Sequence, residues 1–150
     1  MTAVEVMSVL FDQIGRPARR SRSIELTQER VSAFGAITED MQWIHTDPER
    51  AGAELGGTLA HGMLVAALIP AMIEETIDVP DCDRVINLGF DRLSFAAPVP
   101  VGTAICLEAK VIDAKPGPGR VDVRCDVTMW LDTERPRVCA AGVLRVRFIE

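Results

Sequence analysis

Residues 120–131 read RVDVRCDVTMWL, and the alternation in this stretch decides the fold. Val121, Val123, Cys125, Val127, Met129 and Leu131 fall on one face of an extended chain. Asp122, Arg124, Asp126, Thr128 and Trp130 fall on the other. A strand with one apolar and one polar face belongs to an antiparallel sheet covered on one side only. The neighbouring stretches agree. Ile105, Leu107, Ala109 and Val111 alternate in AICLEAKVI, and Val138, Ala140, Leu144, Val146 and Phe148 alternate in VCAAGVLRVRF. KPGPG at 115–119 and TERP at 133–136 are the turns between them.

Further upstream, VINLGFDRLSF (85–95) changes phase. Ile86, Leu88 and Phe90 share one face, whereas Leu93 and Phe95 lie in the opposite phase. A bulge near Asp91 or Arg92 explains the slip, because one extra residue moves every later side chain across the sheet.

What covers the sheet lies in the first half. AHGMLVAALIPAMIEET, residues 60–76, is apolar on nearly every side until Glu74. A helix of that kind is buried all round, and Pro70 interrupts its hydrogen bonds and kinks it. A buried helix followed by a long antiparallel meander defines an α+β fold, a curved sheet wrapped round the helix, in one domain spanning 1–150. Shorter elements precede it. A helix is predicted over 3–14, ended by Gly15 and Pro17, and SIEL (23–26) reads as a short strand. Thr27 caps a helix in QERVSAFGAI, with Val31, Phe34 and Ala36 or Ile37 on its inner face. Asp47-Pro48 starts another helix, and GGT at 56–58 breaks it.

Composition sets bounds on partners. A 150-residue chain with 48% hydrophobic residues supports a sizeable core. The net charge of -6 argues against a general nucleic-acid binder. Cys82, Cys106, Cys125 and Cys139 form no C-x-x-C pair, and only two histidines are available to join them, so no metal site is expected. Reduced thiols, no secretory leader and no long apolar run lead to the expectation of a cytoplasmic protein away from membranes. The basic stretch RPARRSR (16–22) reads either as a solvated loop or as a contact for the phosphates of an anionic ligand.

The candidate chemistry lies in TEDMQWIHTDPERA, Thr38 to Ala51. Asp40 and His45 lie five residues apart, a spacing that flanks a turn and does not stack side chains on a helix face. They read either as an acid–base pair aimed at one water or as a polar turn before a helix. Gly62 falls at the start of the buried helix. There, free backbone N–H groups can meet a ligand oxygen, or the absent side chain can serve close packing. His61 beside it reads as a residue that caps or orients the loop.

AFGAITEDMQWIHTDPERA followed by GGTLAHGML resembles the signature of the MaoC-like dehydratases, the (R)-specific enoyl-CoA hydratases. INLGFDRLSFAAPVPVG resembles the family's next strand, so the likeness runs from about Ile24 to Gly102. The resemblance implies a hot-dog fold and a homodimer joined sheet edge to sheet edge. It implies hydration of a trans-2-enoyl thioester, on coenzyme A or a carrier protein, to the (R)-3-hydroxyacyl product, with no cofactor. Asp40 and His45 fall on the family's catalytic positions and Gly62 on its oxyanion-binding N–H, with His61 and Asn87 in the same substrate-binding set. An acyl-CoA thioesterase and a non-catalytic acyl-CoA-binding subunit are the alternatives on the same fold. Two positions depart from the pattern: Ala67 stands where many members carry Ser, and Leu88 where close relatives carry Tyr.

Overall fold

The computed structural model describes residues 3–149. The chain runs α1 (Ala3–Phe11), β1 (Arg19–Arg20), β2 (Ile24–Glu25), α2 (Gln28–Thr38), α3 (Trp43–Thr46) and α4 (Pro48–Leu55). It continues through α5 (Gly62–Ile73), β3 (Arg84–Phe95), β4 (Ala104–Gly117), β5 (Arg120–Leu131) and β6 (Arg137–Ile149). The four long strands form one antiparallel sheet in the order β4-β5-β6-β3, with β1 and β2 both pairing along the far edge of β4. The expected α+β architecture is present: α1 and α5 pack on the inner face of the sheet.

The alternation in β5 holds at every position, since all six predicted inward residues are buried. They pair with the inward residues of β4 and β6, so the three strands share one apolar face. Each such aliphatic side chain contributes about 1.5–3 kcal/mol on burial. β4 runs on through Pro116 to Gly117, leaving Pro118 and Gly119 as a two-residue turn.

Strand β3 carries two irregularities where the sequence predicts one. The first lies between Asn87 and Gly89, the second between Phe90 and Arg92. The second is the expected bulge. The first ejects Leu88 from the pairing, so Val85 and Asn87, opposite Phe148 and Val146, face inward, and Ile86 faces out opposite Arg147. Gly142 makes the second bulge possible: a Cβ there would stand 2.0 Å from the carbonyl oxygen of Arg92. A shift between Met129 and Trp130 does the same for β6, pairing Val138 with Trp130 and burying Cys139 in place of Val138.

Two helices depart from expectation. α1 ends at Phe11, three residues early, in a turn closed at Gly15. In α2, Val31 and Gly35 are buried and Phe34 packs against the core as expected, whereas Ala36 and Ile37 face solvent, Ile37 at 84% exposure. α5 is not covered all round within one chain: Leu64, Val65, Ile69, Met72 and Ile73 are buried, but Met63 is 63% exposed and Ala67 and Ala71 are exposed with it. The exposed line follows the i, i+4, i+8 spacing of a single helix face.

The arginines of residues 16–22 are tied down by acids of this chain. Arg16 and Arg19 reach Asp78, Arg20 reaches Asp132, and Arg22 reaches Glu75. They pin the β1–β2 segment to the segment after α5 and to the end of β5.

Candidate active site

Helix α2 ends at Glu39, a non-glycine residue in the left-handed conformation (φ 63°). That turn reverses the chain and sets the Asp40 carbonyl beside Gly35, where a Cβ would come within 3.0 Å of the oxygen. The short helix α3 then carries His45. Its ring Nδ1 lies 2.7 Å from the carbonyl oxygen of Leu59. A carbonyl only accepts, so Nδ1 carries the hydrogen and the neutral ring presents a bare Nε2. Gln28 holds the backbone here: its Nε2 donates to the carbonyl of His45 at 2.8 Å, and its Oε1 accepts from the Thr58 hydroxyl. Arg50 lies 4.1 Å over the Trp43 ring and braces α3 against α4, whose N-cap is Asp47 as predicted.

From Leu59 the chain enters α5 with His61 at the N-cap. The His61 side chain makes no capping bond. Its Nε2 donates to the carbonyl oxygen of Asp40 at 3.0 Å, and its ring stacks on His45 with centroids 3.8 Å apart and planes inclined by 25°. The result brings Asp40, His45 and His61 together. One ring nitrogen of each histidine and a carboxylate oxygen of Asp40 lie within 4.8 Å of one another. Of these, the Asp40 carboxylate and the His45 ring can share one water at about 2.8 Å from each. The two histidines are poorly set to share a metal ion, although the donor types suit one. Imidazole lone pairs lie in the ring plane, and two stacked rings with centroids 3.8 Å apart and planes 25° from parallel do not aim their lone pairs at one point within the ~2.1 Å reach of a metal–nitrogen bond.

Gly62 follows His61 directly. Its N–H belongs to the first turn of α5, where no carbonyl of the same helix can accept it. The Phe95 ring lies 3.3 Å from where a Gly62 Cβ would stand. An open cleft of about 340 Å³ begins there, lined by Ala60, Gly62, Val65, Phe95, Ala97 and Val99 among others. Asn87 lies elsewhere. It lines a separate apolar cavity of about 140 Å³ with Pro70, Ile73, Glu74 and Phe148, at the opposite end of α5, and its Oδ1 accepts from the Gly89 N–H. Gln28, Gly35 and the Leu59 carbonyl are the supporting groups that spacing alone does not reveal. A glycine inside a helical pattern was the one available signal.

A sheet wrapped on a central helix, with an acid and a histidine meeting at that helix's N-terminus, defines a hot-dog protein. The chain belongs to the MaoC-like dehydratase family: the family's MaoC like domain is matched over residues 10–130. A 3-hydroxyacyl-thioester dehydratase Z of Mycobacterium tuberculosis is 32% identical over 151 residues, which cover 99% of each chain. An (R)-specific enoyl-CoA hydratase of Aeromonas caviae is 32% identical over 106 residues, 70% of this chain and 75% of that protein. In fold, the R-hydratase PhaJ1 of Pseudomonas aeruginosa superposes with a TM-score of 0.74 at 23% identity, over 95% of this chain and 86% of that one.

Proposed function

We propose that the protein adds water to a trans-2-enoyl-CoA, giving the (R)-3-hydroxyacyl thioester, and catalyses the reverse dehydration. The observation that carries this reading is the meeting of Asp40 and His45 with the N-terminus of α5. The water donates one hydrogen to the Asp40 carboxylate and one to the bare Nε2 of His45, which leaves an oxygen lone pair free to attack Cβ. As the C–O bond forms, charge moves to the thioester oxygen and is met by the Gly62 N–H. The proton lost by the water returns at Cα, so atoms balance and no electrons are exchanged. The small and apolar lining of the neighbouring cleft suits an acyl chain. The departures Ala67 and Leu88 leave this arrangement alone: Ala67 lies on the exposed face of α5, and Leu88 in the first bulge of β3.

The working unit in this reading is a homodimer. Strand β3 pairs with β6 alone among the described residues, and Val85, Ile86 and Phe95 are exposed along it, as is Met63 on α5. An open strand edge beside uncovered apolar surface favours pairing with a second copy. Light scattering at micromolar concentration reads twice the 16.4 kDa chain mass if this holds.

The deciding experiment assays purified protein against a ladder of enoyl-CoA lengths, with product chirality determined and free thiol monitored. Hydration leaves the thioester intact, so thiol release identifies a thioesterase instead. Asp40→Asn and His45→Gln each lower turnover by roughly a hundredfold or more, and the double variant is little worse than the poorer single, because the two act on one water. Wild-type rates in both singles would remove the assignment.

A further inference from the structure

We propose that His61 is a positioning residue of this site, holding Asp40 through its edge and His45 through its face, and that it does not touch substrate. The inference rests on the hydratase reading for its kinetic test. It starts from an oddity of the ring. His61 is 2% exposed, and its Nδ1 is buried with no hydrogen-bond partner. A buried polar atom left unpaired is unfavourable, and packing alone would be better served by Phe or Leu at this position. What a histidine supplies here, and neither of those does, is an N–H at one edge of a flat ring.

Both features are in use. The Nε2–H donates to the Asp40 carbonyl at 3.0 Å, which fixes the backbone from which the Asp40 carboxylate projects. The ring face lies on His45 at 3.8 Å, and Phe34 closes on His61 with centroids 5.1 Å apart. His45 is itself held at Nδ1 by Leu59, one hydrogen bond about which the ring could still pivot. The stack removes that freedom. Because His61 is also the N-cap of α5, the same residue ties both water-binding groups to the helix whose first N–H groups meet the thioester. The ring's hydrogen bond and its stacked face are both committed to Asp40 and His45, so its effect passes through them.

Two variants separate the two contacts. His61→Gln keeps a donor for the Asp40 carbonyl and loses the ring, whereas His61→Phe keeps the ring and loses the donor. Each is expected to lower kcat about tenfold or more with KM within about twofold, the scale on which small misplacements of reacting groups act. In a His45→Gln background the same changes are expected to cost less than about twofold, since Asp40 and His45 act on one water and that unit is already broken. An undiminished loss in that background, or a loss confined to KM, overturns the proposal. A second reading needs no turnover. In nitrogen-15 spectra the hydrogen-bonded Nδ1–H of His45 is expected in the wild type and in His61→Phe, and exchange-broadened in His61→Gln. An unchanged signal in His61→Gln overturns the role of the stack. A wild type that shows the expected spectra but hydrates no enoyl-CoA sinks the proposed function and leaves the positioning role standing.

Discussion

A Cβ added to Gly35 would stand 3.0 Å from the carbonyl oxygen of Asp40, and 3.4 Å from the Nε2 of His61 that donates to it. Gly35 is therefore the floor on which the acid-bearing turn rests. Its absent side chain runs against helix propensity, since Gly in a helix interior costs about 1 kcal/mol relative to Ala. Gly35→Ala sets the two effects against each other. The helix gains intrinsic stability while the Asp40 backbone is pushed outward by a few tenths of an ångström. We expect melting to change by no more than a few degrees and turnover to fall by about tenfold. Full activity in a variant of unchanged stability would show that the turn tolerates the shift.

Gln28 joins three segments that are distant in sequence. It donates to the His45 carbonyl and to the Ser32 hydroxyl, and accepts from the hydroxyl of buried Thr58. Gln28→Ala strands the Thr58 hydroxyl and the His45 carbonyl at once. Leaving such groups unpaired costs about 1–3 kcal/mol each when water cannot replace the partner. The expected result is a clear loss of stability by urea titration together with reduced turnover, because α3 loses its anchor. Thr58→Val removes one of these bonds and is expected to cost less.

These supporting groups mark where the sequence stops being legible. The alternation of β5 fixed one face of the sheet because a period of two admits no other reading over twelve residues. Asp47-Pro48 and Thr27 were visible as helix starts because capping is local chemistry. The bulge at Leu88 was not visible, since Ile86, Leu88 and Phe90 alternate as a regular strand would and only pairing to β6 shows the slip. Asp40 and His45 stood out through their residue types. The stack of His61 on His45 did not, because sixteen residues and a whole helix separate the two in the chain. The exposed line on α5 follows from the single chain: a pattern apolar all round is indifferent to whether the cover comes from the same chain or another.

Glu39 holds the left-handed conformation that ends α2, where glycine is the usual occupant. That conformation costs a residue with a Cβ about 1–2 kcal/mol, and a carboxylate near a helix C-terminus adds a smaller penalty. Glu39→Gly relieves both but adds freedom to the unfolded chain. The net expectation is a melting temperature raised by about 2 °C, with turnover retained because the turn is unchanged. Glu39→Ala relieves only the charge. If Ala raises melting as much as Gly, the penalty was electrostatic and the backbone conformation is not strained.

The four thiols divide by burial, and their reactivity is expected to follow. Cys125 is enclosed in the core, and burial pushes its thiol up to about 12. Cys139 is likewise pushed up to about 11. Cys106 is raised chiefly by burial, with the Arg20 guanidinium at 2.9 Å working in the opposite direction. Cys82 is half-buried and raised by burial and by its neighbours Asp81 and Asp83. The thiolate is the nucleophile, so at pH 8 all four are almost wholly in the unreactive form. Access then decides. With a disulfide reagent at pH 8, one thiol per chain is expected to react slowly in the native protein, and Cys82→Ser is expected to abolish that phase. The other three are expected to react only on unfolding. Its rate should climb about tenfold per pH unit between pH 7 and 9, because the thiolate fraction grows in proportion while the group titrates above that range. The raised values also set a sign for stability. A thiol kept neutral by the fold favours folding below its unfolded value near 8.5, and that contribution is lost as pH rises from there towards the folded value. Cys125→Val is therefore expected to resist alkaline unfolding between about pH 9 and 11 better than wild type, relative to each protein's own stability at pH 7. A second thiol titrating in the native state would mean that the sheet opens around it, and Cys106, next to Arg20 at the sheet edge, is the one whose reaction would show this.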